Sequence, residues 1–202
     1  MVKTKIAVMV SGGGTNLQAL LDAQSSGILT TGEIVLVISS NAKAYAITRA
    51  EKAGVPAVVC SRKELWNQAA FEKAISLVLA EYGVELIVLA GFMSILSESF
   101  TKQWPRRILN VHPSLIPSFC GQGFYGLKVH EAALAYGVKV TGATVHFVNE
   151  IPDGGEILLQ RAVEIQPGDT PEVLQRRVME QAEWKILPQA AQMISEEIGK
   201  GQ

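Results

Sequence analysis

The 202-residue sequence predicts an α/β protein: a mostly parallel sheet with helices on both faces and an antiparallel portion in its C-terminal half. Three observations predict it. Short, apolar, β-branched runs alternate with helical patterns through the first half, two strand-like runs flank a Pro-Asp-Gly-Gly turn in the second, and a long helical pattern closes the chain. Short continuous apolar strands separated by helices imply βαβ units and a sheet covered on both faces. Right-handed crossovers then leave a crevice at the carboxyl ends of the strands, where ligands usually sit.

The first strand is expected at Ile6–Val10, followed by a helix in which Leu17, Leu20 and Leu21 repeat at i, i+3/i+4 spacing. Apolar runs at Ile34–Ile38, Ala57–Val59 and Leu86–Leu89 read as further strands, with Phe71, Ile75, Val78 and Leu79 marking a helix before the last of them. Ile108-Leu109 leads Asn110 and His112 to the end of another strand. Val138–Val148 and Glu156–Ile165 resemble an antiparallel pair. A long helix starts near Pro171, with Thr170 as its cap, and Pro188 is expected to kink or divide it. Pro113–Gly126, rich in Pro, Gly and Ser, is too long for a plain connector and is of the kind that is often functional or mobile.

Lys and Arg number 18 against 19 for Asp and Glu, with no block of one sign, which argues against a surface for nucleic acid or anionic membrane. The chain enters its first strand within about five residues, leaving no room for a signal peptide. No apolar run reaches the roughly 18 residues a membrane span needs. Cys60 and Cys120 match no metal spacing and read as reduced thiols. A cytoplasmic protein is expected.

Ser11–Asn16 joins the first strand to the first helix. Its glycines let the backbone approach an anion, and the free N–H groups of the helix N-terminus point at it. Leu17 stands where a dinucleotide fingerprint has its third glycine, and the Walker lysine is absent. A monophosphate therefore fits better than a dinucleotide; the plainer alternative is a tight turn with no ligand. Asn110, His112 and Asp153 supply an amide, an imidazole and a carboxylate, which together can manage a tetrahedral acyl intermediate. Singly each has a plain structural reading, Asp153 as part of a turn signature. His146, within an alternating strand, is expected to be structural, while His130 opens a helical pattern over Glu131–Tyr136 and faces either solvent or the crevice.

Five motifs follow one another along the chain: Ser-Gly-Gly-Gly-Thr-Asn at 11–16, Leu-Ala-Gly-Phe-Met at 89–93, Asn-Val-His-Pro-Ser-Leu-Ile-Pro at 110–117, Val-His-Phe-Val at 145–148 and Asp-Gly-Gly at 153–155. With these motifs, nearly the whole sequence resembles the phosphoribosylglycinamide formyltransferase family. The resemblance implies a Rossmann-like formyltransferase fold in one domain, 1–202, with a phosphate-binding half at 1–105 and a catalytic and folate half at 106–202. It implies formyl transfer from 10-formyltetrahydrofolate, as cosubstrate, to the amino group of phosphoribosylglycinamide, with no metal, nucleic-acid or membrane partner. The protein is expected as a monomer or homodimer.

By motif, Asn110 would stabilise the oxyanion, His112 would donate a proton to the intermediate, and Asp153 would keep His112 protonated. Gly12, Gly13, Gly14, Thr15 and Asn16, with Glu183 on the last helix, would hold the ribonucleotide. Met93, Ser94, Ile95 and Leu96, with Asn110 and Gln68, would meet the folate. Three departures stand out. Ser94 and Gln68 occupy positions where many members carry Arg, which removes cations able to contact the folate carboxylates. The loop Cys120–Val129 is longer than the family's usual one, so His130 maps less securely than His112.

The nearest rival is a formyltetrahydrofolate deformylase, in which water attacks, but that branch usually carries an extra N-terminal regulatory domain. A methionyl-tRNA formyltransferase would bring a further C-terminal domain and a basic surface, and the phosphate loop argues against a sugar-nucleotide formyltransferase. A non-catalytic nucleotide-binding module would be expected to lose one of Asn110, His112 and Asp153. A Rossmann dehydrogenase lacks its third glycine and a clear ribose-binding acid; Glu33 stands before the apolar core of the second strand rather than at its end.

Overall fold

The computed structural model describes residues 2–65 and 67–201. Its strands are β1 (Thr4–Val10), β2 (Gly32–Ser39), β3 (Ala57–Val59), β4 (Leu86–Leu89), β5 (Ile108–His112), β6 (Val140–Phe147) and β7 (Ile157–Glu164). They form one seven-stranded sheet in the order β3-β2-β1-β4-β5-β6-β7. Pairings from β3 through to β5 are parallel, and β5–β6 and β6–β7 are antiparallel. The strand order reverses at β1, which has β2 on one side and β4 on the other. This reversal opens the crevice at the carboxyl ends of the strands.

The helices are α1 (Thr15–Ser25), α2 (Tyr45–Lys52), α3 (Gln68–Glu81), α4 (Glu98–Thr101), α5 (Leu127–Tyr136), α6 (Pro171–Val178) and α7 (Trp184–Lys200). Alternate residues of a strand face opposite sides, and β1 shows the consequence. Ile6, Val8 and Val10 join a core under α1 and α7, with Leu17, Leu20, Ile186 and Leu187. Ala7 and Met9 join a second core on the other face, with Phe71, Ile75 and Leu79 of α3 and Phe100 of α4. Strands buried on both faces carry continuous apolar runs for this reason.

The C-terminal helix differs from its expected form. Thr170 does cap α6, its side chain accepting from the Val173 N–H, but the break comes upstream of Pro188. A π-helical turn at Met179–Glu183 separates α6 from α7, and Pro188 lies inside α7. The ring of Pro188 would press on the carbonyl four residues back, and a widened turn just before that point relieves it. His130 also moves relative to expectation. Helix α5 starts at Leu127, so His130 sits within it and is fully buried rather than at its mouth.

Candidate active site

Strand β5 carries Asn110 and His112 to the carboxyl edge of the sheet, and the turn after β6 brings Asp153 to them. That turn must pass very close to β6. A Cβ on Gly155 would collide with the Phe147 carbonyl oxygen, so glycine alone fits there. Asp153 adopts φ 55°, a left-handed conformation that asparagine and aspartate tolerate better than other side chains.

Four side chains converge. His112 Nδ1 lies 3.4 Å from Asp153 Oδ2, and His146 Nε2 lies 3.6 Å from Asp153 Oδ1. The Asn110 amide nitrogen is 3.1 Å from His146 Nε2 and 3.5 Å from Asp153 Oδ1. His146 Nδ1 is 2.8 Å from the Phe147 carbonyl, which accepts the Nδ1 proton and leaves Nε2 to accept from Asn110. His146 thus joins the constellation instead of standing apart as a plain strand residue. The signal for it is the cross-strand register, which pairs Asn110 with His146.

The long loop closes over this group. His112 Nε2 donates to the Phe119 carbonyl at 2.9 Å, and the Gly121 N–H donates to Asp153 Oδ2 at 2.9 Å. Phe119 itself holds φ 49°, uncommon for a bulky residue.

Burial pushes the His112 pKa below its ordinary 6.5 and outweighs the Asp153 charge, which raises it. Burial therefore favours the neutral ring in the free protein. Burial opposes it, yet Asp153 is held below the usual carboxylate value; the Gly121 N–H supports its anion, and either imidazole adds to this when it is protonated. His130 is driven to about 4 by burial, with a smaller contribution from His112. Both ring nitrogens of His130 are buried without a hydrogen-bond partner among the described residues.

The glycine loop precedes α1. Gly14 caps the helix at φ 72° and offers no side chain, so the first N–H groups of α1 stay open. A Cβ on Gly14 would lie 2.7 Å from the Ala46 Cβ, which fixes the loop against α2. The Gly12 carbonyl accepts from the Ala46 N–H, and the Gly13 carbonyl accepts from Arg49 Nε at 2.8 Å. The role of Arg49 in holding this loop was not legible from the motif. Thr15 Oγ1 points to Met179 Sδ at 3.6 Å. Asn16 Nδ2 donates to Glu183 Oε2 at 2.7 Å, joining α1 to the π-helical turn. Glu183 is buried, and burial raises its pKa to about 7 while the Asn16 bond lowers it.

The expected folate segment divides by burial. Met93 and Ile95 are exposed apolar side chains, and the Met93 N–H donates to Ser11 Oγ at 2.8 Å. Leu96 departs from expectation, because its side chain belongs to the core with Phe71 and Phe100. Gln68 departs too: Nε2 donates to Glu72 Oε1 at 2.6 Å and to the Ile95 carbonyl at 3.0 Å. Glu72 in turn accepts from the N–H and the hydroxyl of Ser97, each at 2.6 Å. Gln68 therefore braces the 93–97 segment from behind. Ser94 lines a separate polar recess, together with Ser11.

Among the described residues no group of three or more His, Cys, Asp and Glu is arranged to hold a metal ion, and no helix is long and apolar enough to cross a membrane.

Comparison with known proteins gives concordant results. The formyl transferase family profile matches residues 4–191. A phosphoribosylglycinamide formyltransferase of Haemophilus influenzae is 45% identical over 184 residues, which are 91% of this chain and 84% of that protein. The trifunctional purine biosynthetic protein adenosine-3 of Gallus gallus is 46% identical over 193 residues, 96% of this chain. The chain spans only 18% of the length of that relative. Among solved structures, glycinamide ribonucleotide transformylase 1 of Symbiobacterium toebii superposes with a TM-score of 0.90 at 42% identity, covering 96% of this chain and 89% of the other.

Proposed function

The chain belongs to the formyl transferase family, and from that premise we propose that it transfers a formyl group from 10-formyltetrahydrofolate to the amino group of 5'-phosphoribosylglycinamide. The products are phosphoribosyl-N-formylglycinamide and tetrahydrofolate, a step of purine biosynthesis. What carries this reading is the convergence of Asn110, His112 and Asp153 within 3.5 Å of one another along Asp153, at the carboxyl end of β5. Two small-molecule substrates in a cytoplasmic setting accompany it. One domain over residues 1–202 is part of the same reading, supported by the single sheet that runs through both halves.

The amine nitrogen bonds to the formyl carbon, and the carbonyl oxygen becomes an oxyanion. One N–H of Asn110 is engaged by His146, and the other, only loosely shared with Asp153 at 3.5 Å, is available to that oxyanion. Once the Phe119 carbonyl has left, the ring proton of neutral His112 sits on Nδ1, towards Asp153 Oδ2, so Nε2 takes the proton lost by the attacking amine and returns it to N10 of the folate as the carbon–nitrogen bond breaks. Asp153 favours the imidazolium while it exists. No proton is gained or lost overall. For Nε2 of His112 to reach the reacting atoms, the Phe119 carbonyl must leave it, so the loop around Phe119 withdraws as the substrates enter. The open N–H groups of α1 and the Asn16–Glu183 pair suit the phosphate and the glycinamide end of the acceptor respectively.

The test is a tetrahydrofolate-release assay with 10-formyltetrahydrofolate, with and without phosphoribosylglycinamide, beside His112→Ala. Release that needs the ribonucleotide and is lost in the variant is expected. Release without acceptor would make the protein a deformylase, and no release from folded protein would leave only a binding module.

A further inference from the structure

Gly12, Gly13 and Gly14 carry the chain from β1 into α1, and two consecutive carbonyls of this loop are taken by α2. The Ala46 N–H donates to the Gly12 carbonyl at 3.1 Å, and Arg49 Nε donates to the Gly13 carbonyl at 2.8 Å. In a planar trans peptide the C=O and the N–H that follows it point in opposite directions. Carbonyls drawn towards α2 therefore turn the N–H groups of Gly13 and Gly14 away from it, to the open side of the loop. Neither N–H has a hydrogen-bond partner among the described residues. A Cβ on Gly13 would meet nothing within 4 Å, so that side has room. Consecutive N–H groups left free on one side of a turn make a concavity for an anion.

Arg49 is itself fixed from three directions. Beside its bond to Gly13, Nη1 donates to Gln18 Oε1 at 3.0 Å, and Gln18 Nε2 donates on to Asp22 Oδ1 at 2.8 Å. The guanidinium also stands 5.1 Å from the centre of the Tyr45 ring, one helical turn back along α2. A single side chain thus ties together the glycine loop, α1 and α2. The planar fork of an arginine holds two acceptors at fixed angles, which the point charge of a lysine does not. Among the described residues no carboxylate forms an ion pair with Arg49, so its charge stays uncancelled behind the loop.

We infer that Arg49 is a positioning residue for the acceptor: it holds the Gly13 carbonyl so that the Gly14 N–H faces the phosphate, and it does so from behind, without touching the phosphate. The inference rests on the acceptor proposed above and names the side chain that prepares its seat. The loop lacks the lysine of a Walker motif, so recognition falls on backbone N–H groups and their direction decides it. The Ala46 N–H does the same work for the Gly12–Gly13 peptide, but it is a backbone group. Arg49 is the member of the pair that a substitution can remove.

The experiment compares wild-type protein with Arg49→Met, which keeps the apolar stem and removes the donors and the charge. Calorimetry gives the affinities for phosphoribosylglycinamide and for tetrahydrofolate, and the amide NMR signal of Gly14 is followed as inorganic phosphate is added. Wild-type Gly14 is expected to respond to phosphate. In the variant that response should vanish and the ribonucleotide should bind about tenfold more weakly, with the folate affinity unchanged. Circular dichroism and Tm report whether the variant is folded, and Arg49→Lys carries the same test if it is not. In Arg49→Lys, affinity and Gly14 response are expected to change together. Affinity kept without the Gly14 response would mean that charge alone attracts the anion, which overturns the inference. Unchanged ribonucleotide affinity in Arg49→Met would overturn it too, as would an equal loss for the folate, the mark of a general disturbance. Wild-type protein that binds no ribonucleotide would remove the acceptor assignment itself, a failure distinct from an inert Arg49.

Discussion

His112 turns Nδ1 to within 3.4 Å of Asp153 Oδ2, yet burial keeps the ring neutral in the free protein. The carboxylate therefore acts as a poised counter-ion, whose influence grows when the ring takes a proton. Loss of activity at acid pH is then protonation of His112, which removes its capacity to accept from the amine. Its onset lies below the ordinary imidazole value of 6.5. Asp153→Asn removes the charge that raises this pKa, so the acid limb of kcat/KM should move to lower pH while the plateau falls. A limb that stays in place in the variant would dissociate Asp153 from His112 titration.

In the proposed reaction Asn110 and His112 work on the same intermediate. Removing a single oxyanion donor typically costs on the order of a hundredfold or more in rate, and Asn110→Ala is expected to show this mainly in kcat. Residues that act as a unit are not additive. The N110A/H112A double variant should be only slightly worse than the weaker single one in steady-state assays. Multiplicative losses would mean that the two act independently.

Two buried groups give stability opposed pH dependences. His130 titrates near 4 when folded and at 6.5 when free of the fold, so the unfolded chain binds more protons between those values. Its contribution is lost as pH falls from 6.5 towards 4. His112 adds to it with the same sign. Glu183 is raised to about 7 from 4.5, so the folded state binds the extra proton and stability is lost as pH rises through that window. For His130 and for Glu183 the upper limit is about 3 kcal/mol. His130→Leu should leave a protein more stable at pH 5 than at pH 7, and Glu183→Gln the reverse, read by urea unfolding. Parallel profiles in both variants would refute the opposition.

Much of this was legible in the sequence because periodicity reports burial. The β1 run reads as a strand buried on both faces, and Phe71, Ile75 and Leu79 read as one face of α3. Helix α2 gave no such signal because its buried residues are Ala46 and Ala50, too small to mark an apolar stripe. The π-helical turn was hidden for another reason: hydrogen-bond register is not written in apolar spacing. Of the candidate site, motif placed Asn110, His112 and Asp153 together, but the place of His146 beside them depends on cross-strand register set by the β6 ladder. Gln68 shows the limit in the other direction. Its position suggested a ligand contact, while its bond to Glu72 needs a side-chain geometry that no spacing reveals.

Gly155 is expected to tolerate no side chain. Its Cβ would meet the Phe147 carbonyl, a backbone atom that cannot step aside without moving β6. Gly155→Ala should therefore cost about 3 kcal/mol and also displace Asp153, lowering kcat/KM together with stability. Gly27→Ala is the control: a Cβ there meets nothing within 4 Å, although its φ of 76° carries some strain. Equal stability losses in the two variants would show that backbone conformation, and not the collision, dominates.

Asn16 offers the sharpest separation between the two substrates. Its amide nitrogen donates to Glu183 at 2.7 Å, while its Oδ1 is buried with no partner among the described residues. A buried acceptor left unpaired costs about 1–3 kcal/mol, and an amide or hydroxyl of the incoming ribonucleotide can satisfy it. Asn16→Leu removes the acceptor and strips Glu183 of the bond that lowers its pKa. The KM for phosphoribosylglycinamide should rise at least about tenfold, with a smaller change in kcat and little change in the folate KM. The same variant should shift the alkaline loss of stability assigned to Glu183 to higher pH, which a merely misfolded helix junction would not do. An unchanged ribonucleotide KM would place the acceptor elsewhere than against Asn16.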